Sequence, residues 1–385
     1  MSFFELNVKI LKISGLWVPL DARNYRRTMC LNLSNVFYSM VFFTIAEFAA
    51  VPASAADLTD LVKNLNMSVS FLLTFFKVAV WFVRRKEILN IMTILQSTSN
   101  SFENAPEFDP KRIVDKEQKI KDALTKTFFV LAFTVPTSAC LLTLGTVIVS
   151  DDFSFKLPYR SYVPFNYRSS KFAYSVALVY QCFALLSCGT ITVGFDMLFT
   201  SLVSFTSAHL QILQGAFRTI KIRCVNHRTK NVRKDMEREM IKCVKHLQLI
   251  VGICDALENI FTYLILLQMV VSLVVFCTCL YLISTMPITS LGNEIAYMLA
   301  IENQLAVYCY AGNKLTSRGE EIPFAIYESD WFGATKRYKN DMIMTMIRMG
   351  KPIYLTAGKF TVLTLSTFVT IGRGSYSLLA MLKNS

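Results

Sequence analysis

The residue types and spacings that support catalysis are missing from this sequence. It contains no GxxxxGK[ST] phosphate-binding loop, no HExxH zinc motif and no GxSxG nucleophile motif. The three histidines, His209, His227 and His246, fall in one polar region, where we expect solvated side chains. The ten cysteines form no metal-ligand cluster. We therefore expect a protein that is not an enzyme, with no catalytic residue, no metal and no cofactor.

The remaining functions are ligand binding and ion conduction. Ionisable residues inside apolar segments are the first candidates for these functions, because a charge in lipid is costly and is rarely found there without a role. Lys77 and Asp196 fall in two different apolar segments, so they could pair across a helix bundle. The alternative for Lys77 is a side chain that reaches the membrane surface. The last apolar segment carries Lys359, Arg373 and Lys383, and we expect these charges to face water or a neighbouring subunit.

A second group of candidates combines aromatic, sulfur-containing and hydroxyl side chains in the outer halves of four apolar segments. An apolar cavity with a few polar groups suits a small hydrophobic ligand. Helix packing without a cavity is the alternative for each residue taken singly. We predict a ligand pocket lined by Met67, Ser70, Phe71, Thr74, Thr137, Leu141, Leu144, Tyr174, Tyr180, Gln181, Leu291, Ile295 and Tyr297.

These candidates need a scaffold of membrane-spanning helices. Of the 385 residues, 53% are hydrophobic and 17% are charged, which is less charge than a soluble domain carries. Apolar runs of about 20 residues are long enough to cross a bilayer. The pattern predicts an all-α membrane protein with seven transmembrane helices, at 31–51, 61–83, 124–149, 172–202, 257–284, 288–311 and 352–382.

The basic residues predict the orientation of these helices. The connections on one side of the membrane hold 31 Lys and Arg, and those on the other side hold 5. By the positive-inside rule the N-terminus is cytosolic and the C-terminus is extracellular. The net charge of +13 is thereby assigned to cytosolic loops and not to nucleic-acid binding. This orientation is opposite to that of G-protein-coupled receptors.

The cytosolic side is predicted to form a helical anchor bundle. Residues 228–248 alternate charges at helical spacing, and an apolar stripe follows at Ile241, Val244, Leu247 and Val251. A short amphipathic helix is predicted in MSFFELNVKILKISGLW, at the inner membrane interface. We divide the chain into five parts. Residues 1–202 hold helices one to four on the ligand-binding side, 203–256 hold cytosolic extensions of helices four and five, and 257–311 hold helices five and six. Residues 312–351 are the anchor segment, and 352–385 hold helix seven.

The C-terminal residues 319–385 carry a motif of several separated elements. These are Glu321-Ile322, Ala325 with Tyr327, Trp331, the segment Met346–Pro352, Ala357-Gly358-Lys359, Thr367-Phe368 and Ser375-Tyr376-Ser377. The motif resembles the C-terminal signature of insect odorant receptors. Arg318-Gly319 departs from it, since the family often has Ser before the acidic residue. The loop 203–256 is shorter than its counterpart in the family's coreceptor, so the chain looks like an odorant-specific subunit.

This resemblance implies a ligand-gated, non-selective cation channel in the plasma membrane of sensory neurons, with no G protein required. It implies a hetero-oligomer, a tetramer with the coreceptor, joined at an anchor that includes Trp331, Tyr338 and Met346. A small apolar volatile would bind within the helix bundle, in the outer halves of helices two, three, four and six, and membrane lipid would surround the bundle. The resemblance also implies a pore lined by Gly372, Arg373, Ser375, Tyr376, Leu379, Leu382 and Lys383.

Two alternatives stay open. A rival face of the seventh helix is small and polar, which suits either a wet pore or close helix packing; its residues are Thr367, Thr370, Gly374, Ser377 and Met381. The sister gustatory receptors would imply a homotetrameric channel that works without a coreceptor. A secondary transporter is a third class, but such proteins usually carry internal repeats, and this sequence shows none.

Overall fold

The structure, a computed structural model, describes residues 3–17, 30, 32, 34, 36–54, 57–149, 157–159, 161–226, 231–287 and 291–384. These residues are mostly helical. The elements are α1 (Glu5–Ile13), a π-helical turn (Phe37–Val41), α2 (Phe42–Ser54), α3 (Leu58–Thr98), α4 (Pro110–Val149), α5 (Lys171–Arg218), α6 (Ile220–Asn226), α7 (Val232–Thr285), α8 (Leu291–Glu320), α9 (Ile322–Tyr327), α10 (Lys336–Met349), β1 (Thr356–Ala357), β2 (Thr361–Val362) and α11 (Leu365–Asn384).

Side-chain caps fix where several long helices begin. Asp57 accepts a hydrogen bond from the Thr59 N–H over 2.9 Å at the start of α3. Ser170 accepts one from the Ala173 N–H over 3.1 Å at the start of α5. The side chain of Asn231 caps α7 in the same way. These caps satisfy backbone donors that the first helical turn leaves unpaired, so each helix has a defined start.

The central element is α5, which packs against α1, α3, α4, α7 and α8. Between Ile191 and Phe217 nearly every side chain of α5 is buried. Phe199 lies between Phe261 of α7 and Tyr308 of α8, with ring centroids 4.8 Å and 4.6 Å away. A helix that is apolar on all sides must be covered on all sides, and the other long helices surround α5 accordingly.

Within the described part of the chain, four helices are long and apolar enough to cross a membrane, namely α3, α4, α5 and α7, with α4 qualifying over Pro110–Gly145. They contain the predicted segments 61–83, 124–149, 172–202 and 257–284. The predicted segment 288–311 lies in α8 from Leu291 onwards, and 31–51 includes the π-helical turn and most of α2. The helical extension predicted at 228–248 is confirmed from Val232, where α7 begins.

The N-terminal helix α1 packs against α5 instead of lying with its apolar face on lipid. Phe3 stacks on Phe205 of α5 with ring centroids 4.2 Å apart, and Phe4 and Leu11 have no exposed surface. Lys121 Nζ donates to the Phe3 carbonyl oxygen over 2.5 Å. The predicted amphipathic helix is therefore present, but its apolar face belongs to the protein core.

The predicted continuous helix at 352–382 is wrong in its first third. Residues before Leu365 form a small antiparallel hairpin of β1 and β2, with Ala357 opposite Thr361. The Phe360 N–H donates to the Ala357 carbonyl over 3.1 Å, and both residues between them have positive φ, 60° at Gly358 and 65° at Lys359. Lys359 thus lies at a turn and not inside a helix.

Two histidines predicted to be solvated are instead buried together. His209 Nδ1 lies 3.2 Å from His246 Nε2, and His209 Nε2 lies 3.0 Å from the Leu95 carbonyl oxygen. A carbonyl only accepts, so His209 Nε2 donates to it and His209 Nδ1 accepts from His246. Burial lowers the pKa of His209 to about 3 and that of His246 to about 4, so both rings are neutral near pH 7. His227 lies outside the described residues.

Candidate functional site

A cavity of about 120 Å³ lies between α3, α4, α5 and α8. Its wall is mostly apolar, and Pro136, which lies inside α4, forms part of it. The apolar lining consists of Met67, Phe71, Leu73, Phe128, Ala132, Val135, Pro136, Leu185, Cys188, Gly189, Ala300 and Ile301. Such a wall with few polar groups suits a small apolar ligand.

The hydroxyl groups on this wall are hydrogen-bonded to one another. Tyr297 Oη donates to the Asn66 carbonyl oxygen over 3.1 Å, and it therefore accepts from Ser70 Oγ over 2.6 Å. Thr74 Oγ1 donates to the Ser70 carbonyl oxygen over 2.9 Å and accepts from Thr192 Oγ1 over 2.8 Å. Because all four hydroxyl protons are used inside the protein, the wall offers a ligand chiefly oxygen lone pairs.

One lining residue of the cavity, Lys77, belongs to a buried ion pair. Lys77 Nζ lies 2.7 Å from Asp196 Oδ1 and 2.9 Å from Oδ2, and neither side chain is exposed. Asp196 also accepts hydrogen bonds from Tyr308 Oη over 2.7 Å and from Gln304 Nε2. These extra donors offset the desolvation of the carboxylate. The predicted pairing of Lys77 with Asp196 is confirmed, and the alternative in which Lys77 reaches the membrane surface is wrong.

Five of the predicted ligand-pocket residues line this cavity: Met67, Ser70, Phe71, Thr74 and Tyr297. The others lie elsewhere. Thr137, Leu141 and Leu144 are on the exposed side of α4, Tyr174, Tyr180 and Gln181 lie nearer the N-terminal end of α5, and Leu291 and Ile295 lie at the start of α8. Gln181 Nε2 donates to the Tyr159 carbonyl oxygen over 2.8 Å, so it holds a loop.

Sequence reasoning missed the deeper part of the wall. On α5 the lining continues from Leu185 to Cys188 and Thr192, and on α8 it continues from Tyr297 to Gln304. These residues follow at helical spacing from positions that were considered, so periodicity carried to the next two turns would have found them. Hydropathy alone did not select them, because small and polar residues do not stand out in it.

The last helix, α11, packs against α7 and α8 through one stripe of side chains. Ser375 and Leu379 are buried in this stripe, and Ser375 Oγ lies 3.4 Å from the carbonyl oxygen of Leu273 in α7. Two of the predicted pore residues therefore contact the chain's own helices.

The opposite side of α11 is open. Gly372, Arg373 and Tyr376 are exposed there, whereas the side chains of Leu382 and Lys383 lie outside the described part of the chain. The rival face is divided: Thr370, Ser377 and Met381 are exposed, Gly374 is half-buried and Thr367 is buried. The exposed side of α11 thus combines members of both predicted faces.

The predicted anchor residues are mostly turned inward. Tyr338 is buried and its hydroxyl lies 3.3 Å from Ser329 Oγ, and Met346 packs against the main core. Trp331 is half-buried and stacks on Phe332, with ring centroids 4.4 Å apart. The large exposed apolar residues of this region, here called the anchor surface, are Phe324, Tyr327, Phe332, Ile343, Met344 and Ile347.

Comparison with known families agrees with this geometry. A sequence profile described as "7tm Odorant receptor" matches residues 57–376, a range that includes the cavity and most of α11. The chain belongs to the insect odorant receptor family. The resemblance seen in residues 319–385 is thereby confirmed, and the matched relatives are receptors and not enzymes.

Individual odorant receptors match along most of their length. Odorant receptor 2a of Drosophila melanogaster is 22% identical over 341 residues, which cover 85% of this chain and 83% of that protein. Odorant receptor Or1 of Anopheles gambiae is 20% identical over 411 residues, which cover 99% of this chain and 95% of that protein.

The structure of olfactory receptor OR5 from Machilis hrabei in complex with eugenol superposes with a TM-score of 0.85 at 15% identity. The match covers 99% of this chain and 97% of that one, so the two share the whole fold. The predicted all-α membrane fold with seven transmembrane helices is confirmed by this likeness. The odorant receptor described here is accordingly a multi-pass membrane protein.

Proposed function

We propose that this chain is the odorant-binding subunit of a ligand-gated, non-selective cation channel, and that a small apolar volatile binds in the cavity between α3, α4, α5 and α8. The observation that carries this proposal is the apolar cavity deep in the bundle, with its polar groups already paired. The related receptor from Machilis hrabei is solved in complex with eugenol, which supports a small organic ligand.

The small size of the cavity supports a coupling between binding and conformational change. Its volume of about 120 Å³ is below the roughly 300 Å³ at which ligand pockets usually begin. Entry of an odorant therefore requires the walls to move apart. A ligand that fits only the expanded cavity shifts the equilibrium towards the conformation in which the helices are separated.

A chain of polar contacts connects the cavity with α11. Gln304 on the cavity wall accepts from Gln268 Nε2 of α7 over 3.1 Å, and the same Nε2 lies 3.1 Å from Ser272 Oγ. The carbonyl oxygen of the next residue, Leu273, lies 3.4 Å from Ser375 Oγ of α11, which also donates to the Ile371 carbonyl oxygen over 2.9 Å. Movement of α8 at the cavity thus acts on α11 through α7, and the exposed side of α11, with Arg373, would line the pore.

The orientation of the chain in the membrane and its contact with a coreceptor are inferred from charge and from exposed apolar area. The excess of Lys and Arg in the connections on one side of the predicted transmembrane segments supports a cytosolic N-terminus and a cytosolic anchor surface. Exposed apolar patches mark interaction sites, so the anchor surface would contact a coreceptor in a hetero-oligomer at the plasma membrane of sensory neurons. In this assignment residues 1–202 hold the larger part of the ligand site and 352–385 contribute to the pore.

Patch recording tests the proposal directly. The chain is expressed with and without a coreceptor, and odorant-evoked current is measured with G-protein signalling blocked. We expect current with both subunits, unaffected by the block. Equal current from the chain alone would favour a homotetramer of the gustatory type, and loss of current under the block would contradict a ligand-gated channel.

A further inference from the structure

A second cavity, of about 280 Å³, adjoins the odorant cavity. Met67 and Tyr297 belong to the walls of both, so these two side chains separate one space from the other. The wall of the second cavity has several charged and amide side chains, whereas the wall of the first is mostly apolar. The second cavity lies among the middle of α2, the first turns of α3, the loop residues 157–159 and the start of α8.

The wall of this second cavity holds an unpaired buried carboxylate. Glu47 of α2 has no exposed surface, and neither oxygen of its carboxyl group has a hydrogen-bond partner among the residues that the structure describes. The other charged residues that line the cavity within the described chain are Asp60, Glu294 and Lys63. Among these described residues acidic groups outnumber basic groups, and an ionised carboxyl group buried without a partner is strongly unfavourable. Glu47 is therefore either protonated or paired with a cation that enters the cavity.

The neutral polar groups of the second cavity can also accept hydrogen bonds from a ligand. The Asn66 amide oxygen accepts from Thr278 Oγ1 over 2.6 Å, and the Asn293 amide oxygen accepts from Ser138 Oγ over 3.1 Å. An amide oxygen has two lone pairs, so each of these has capacity for a second hydrogen bond. An alkylammonium group has three N–H donors and no acceptor, which complements carboxylate and amide oxygens.

We propose that the second cavity binds the protonated amino group of an amine ligand, whose apolar part extends past Met67 and Tyr297 into the odorant cavity. The proposal rests on the proposed function, because the apolar part occupies the odorant cavity. An organic cation fits better than a metal ion, since the described residues contain no group of three His, Cys, Asp or Glu placed to hold one. Met67 is unbranched and flexible, so it suits a wall that a ligand passes.

The test compares two ligands with the same carbon skeleton, 2-phenylethylamine and 2-phenylethanol, on the purified full-length chain in detergent. At pH 7 a primary amine is protonated, as a lysine side chain is. We expect the wild type to bind the amine about tenfold more tightly than the alcohol, by calorimetric titration. Glu47→Gln removes the charge and keeps the shape, and should abolish that preference while changing alcohol affinity less than about twofold.

Two further variants make the result specific. Asp115→Asn removes an exposed carboxylate near the N-terminal end of α4, which does not line the second cavity, and should leave both affinities unchanged. Glu294→Gln should weaken amine binding, as Glu47→Gln does. If thermal unfolding shows that Glu47→Gln is misfolded, Glu294→Gln alone tests the amine site. Current recordings of the coexpressed pair with both ligands provide a second readout.

Several outcomes would overturn the amine site. Equal affinity for amine and alcohol, or an equal loss of both in Glu47→Gln, would do so while leaving the odorant cavity intact. If the wild type binds neither ligand and gives no odorant current, the proposed function fails together with the amine site.

Discussion

Lys77 of α3 and Asp196 of α5 neutralise each other inside the bundle, with Lys77 Nζ 2.7 Å from Asp196 Oδ1 and both side chains fully buried. Removing one partner of a buried pair leaves an uncompensated charge and typically lowers the free energy of unfolding by about 3–5 kcal/mol. We expect Lys77→Met to have an effect of this size in thermal unfolding of the purified receptor. Lys77→Met with Asp196→Asn should recover much of the loss, and Lys111→Met, at an exposed site, should have none. Wild-type stability of Lys77→Met alone would contradict this account.

Two glycines provide a matched test of the odorant cavity. A Cβ added at Gly189 or at Gly145 meets no atom within 4 Å, but only Gly189 lines the cavity. Gly189→Leu should fill the space and raise the odorant concentration for half-maximal current about tenfold or more, since even one methylene in an apolar site is worth about 1–3 kcal/mol. Gly145→Leu should leave that concentration unchanged. Similar shifts in both variants would mean that the ligand binds elsewhere.

Arg373 carries a positive charge on the open side of α11. A fixed positive charge beside a cation path lowers local cation occupancy, so Arg373→Gln should raise the single-channel conductance of the coexpressed pair. Ser375→Ala, which alters the contact with α7, should change odorant sensitivity more than conductance. An unchanged conductance in Arg373→Gln would place this side chain at a packing interface.

The turn before α11 contains a strained lysine. Lys359 has a φ of 65°, a conformation that costs about 1 kcal/mol for a residue with a Cβ. Lys359→Gly should therefore raise the stability of the receptor slightly, whereas Lys351→Gly should not. Gly358→Ala should be destabilising, because the new Cβ would lie 2.5 Å from Leu266 Cδ2. Thermal unfolding of the three variants measures these effects, and a neutral Gly358→Ala would show that Leu266 can move aside.

The buried histidine pair predicts a pH dependence of stability. Burial lowers the pKa of His209 to about 3 and that of His246 to about 4, below the ordinary value of 6.5. The stabilising contribution of the neutral rings is present above pH 6.5 and is lost as pH falls towards 4. Over this window each histidine contributes a slope of at most about 1.4 kcal/mol per pH unit.

The replacement His209→Gln with His246→Gln should flatten this decline between pH 7.5 and 5 in thermal unfolding. Carboxylates titrate in the same range and are common to both proteins, so the difference between the two curves isolates the pair. Parallel curves would mean that the histidines are solvated after all.

Hydropathy predicted the long helices well because the same apolar side chains serve lipid and core. It failed at 352–364, where the segment is mostly apolar apart from Lys359 and three threonines, although Pro352 and Gly358 signal a turn. The backbone there also needs specific partners: the Gly358 N–H donates to the Thr262 carbonyl oxygen over 2.9 Å, and the Thr356 N–H donates to Glu258 over 2.8 Å. Such tertiary contacts leave no periodic trace in the sequence.

Only part of the candidate site could be predicted from the sequence, for a related reason. The helices that surround the cavity were identified from composition, but its depth along them depends on how far α5 and α8 slide against α3. The buried histidines illustrate the same limit, because the polarity of residues 203–256 suggested solvent while α5 and α7 in fact enclose both rings. Which polar residue becomes buried is decided by packing between distant segments.

The length of α7 has a mechanical consequence. Its 54 residues form one uninterrupted helix, about 81 Å long at 1.5 Å per residue. A rod of this length acts as a lever, and a tilt of about 5° at one end displaces the other by about 7 Å. If subunits share the anchor surface as proposed, a tilt of this size there would displace the far end of α7 by several ångströms in each of them.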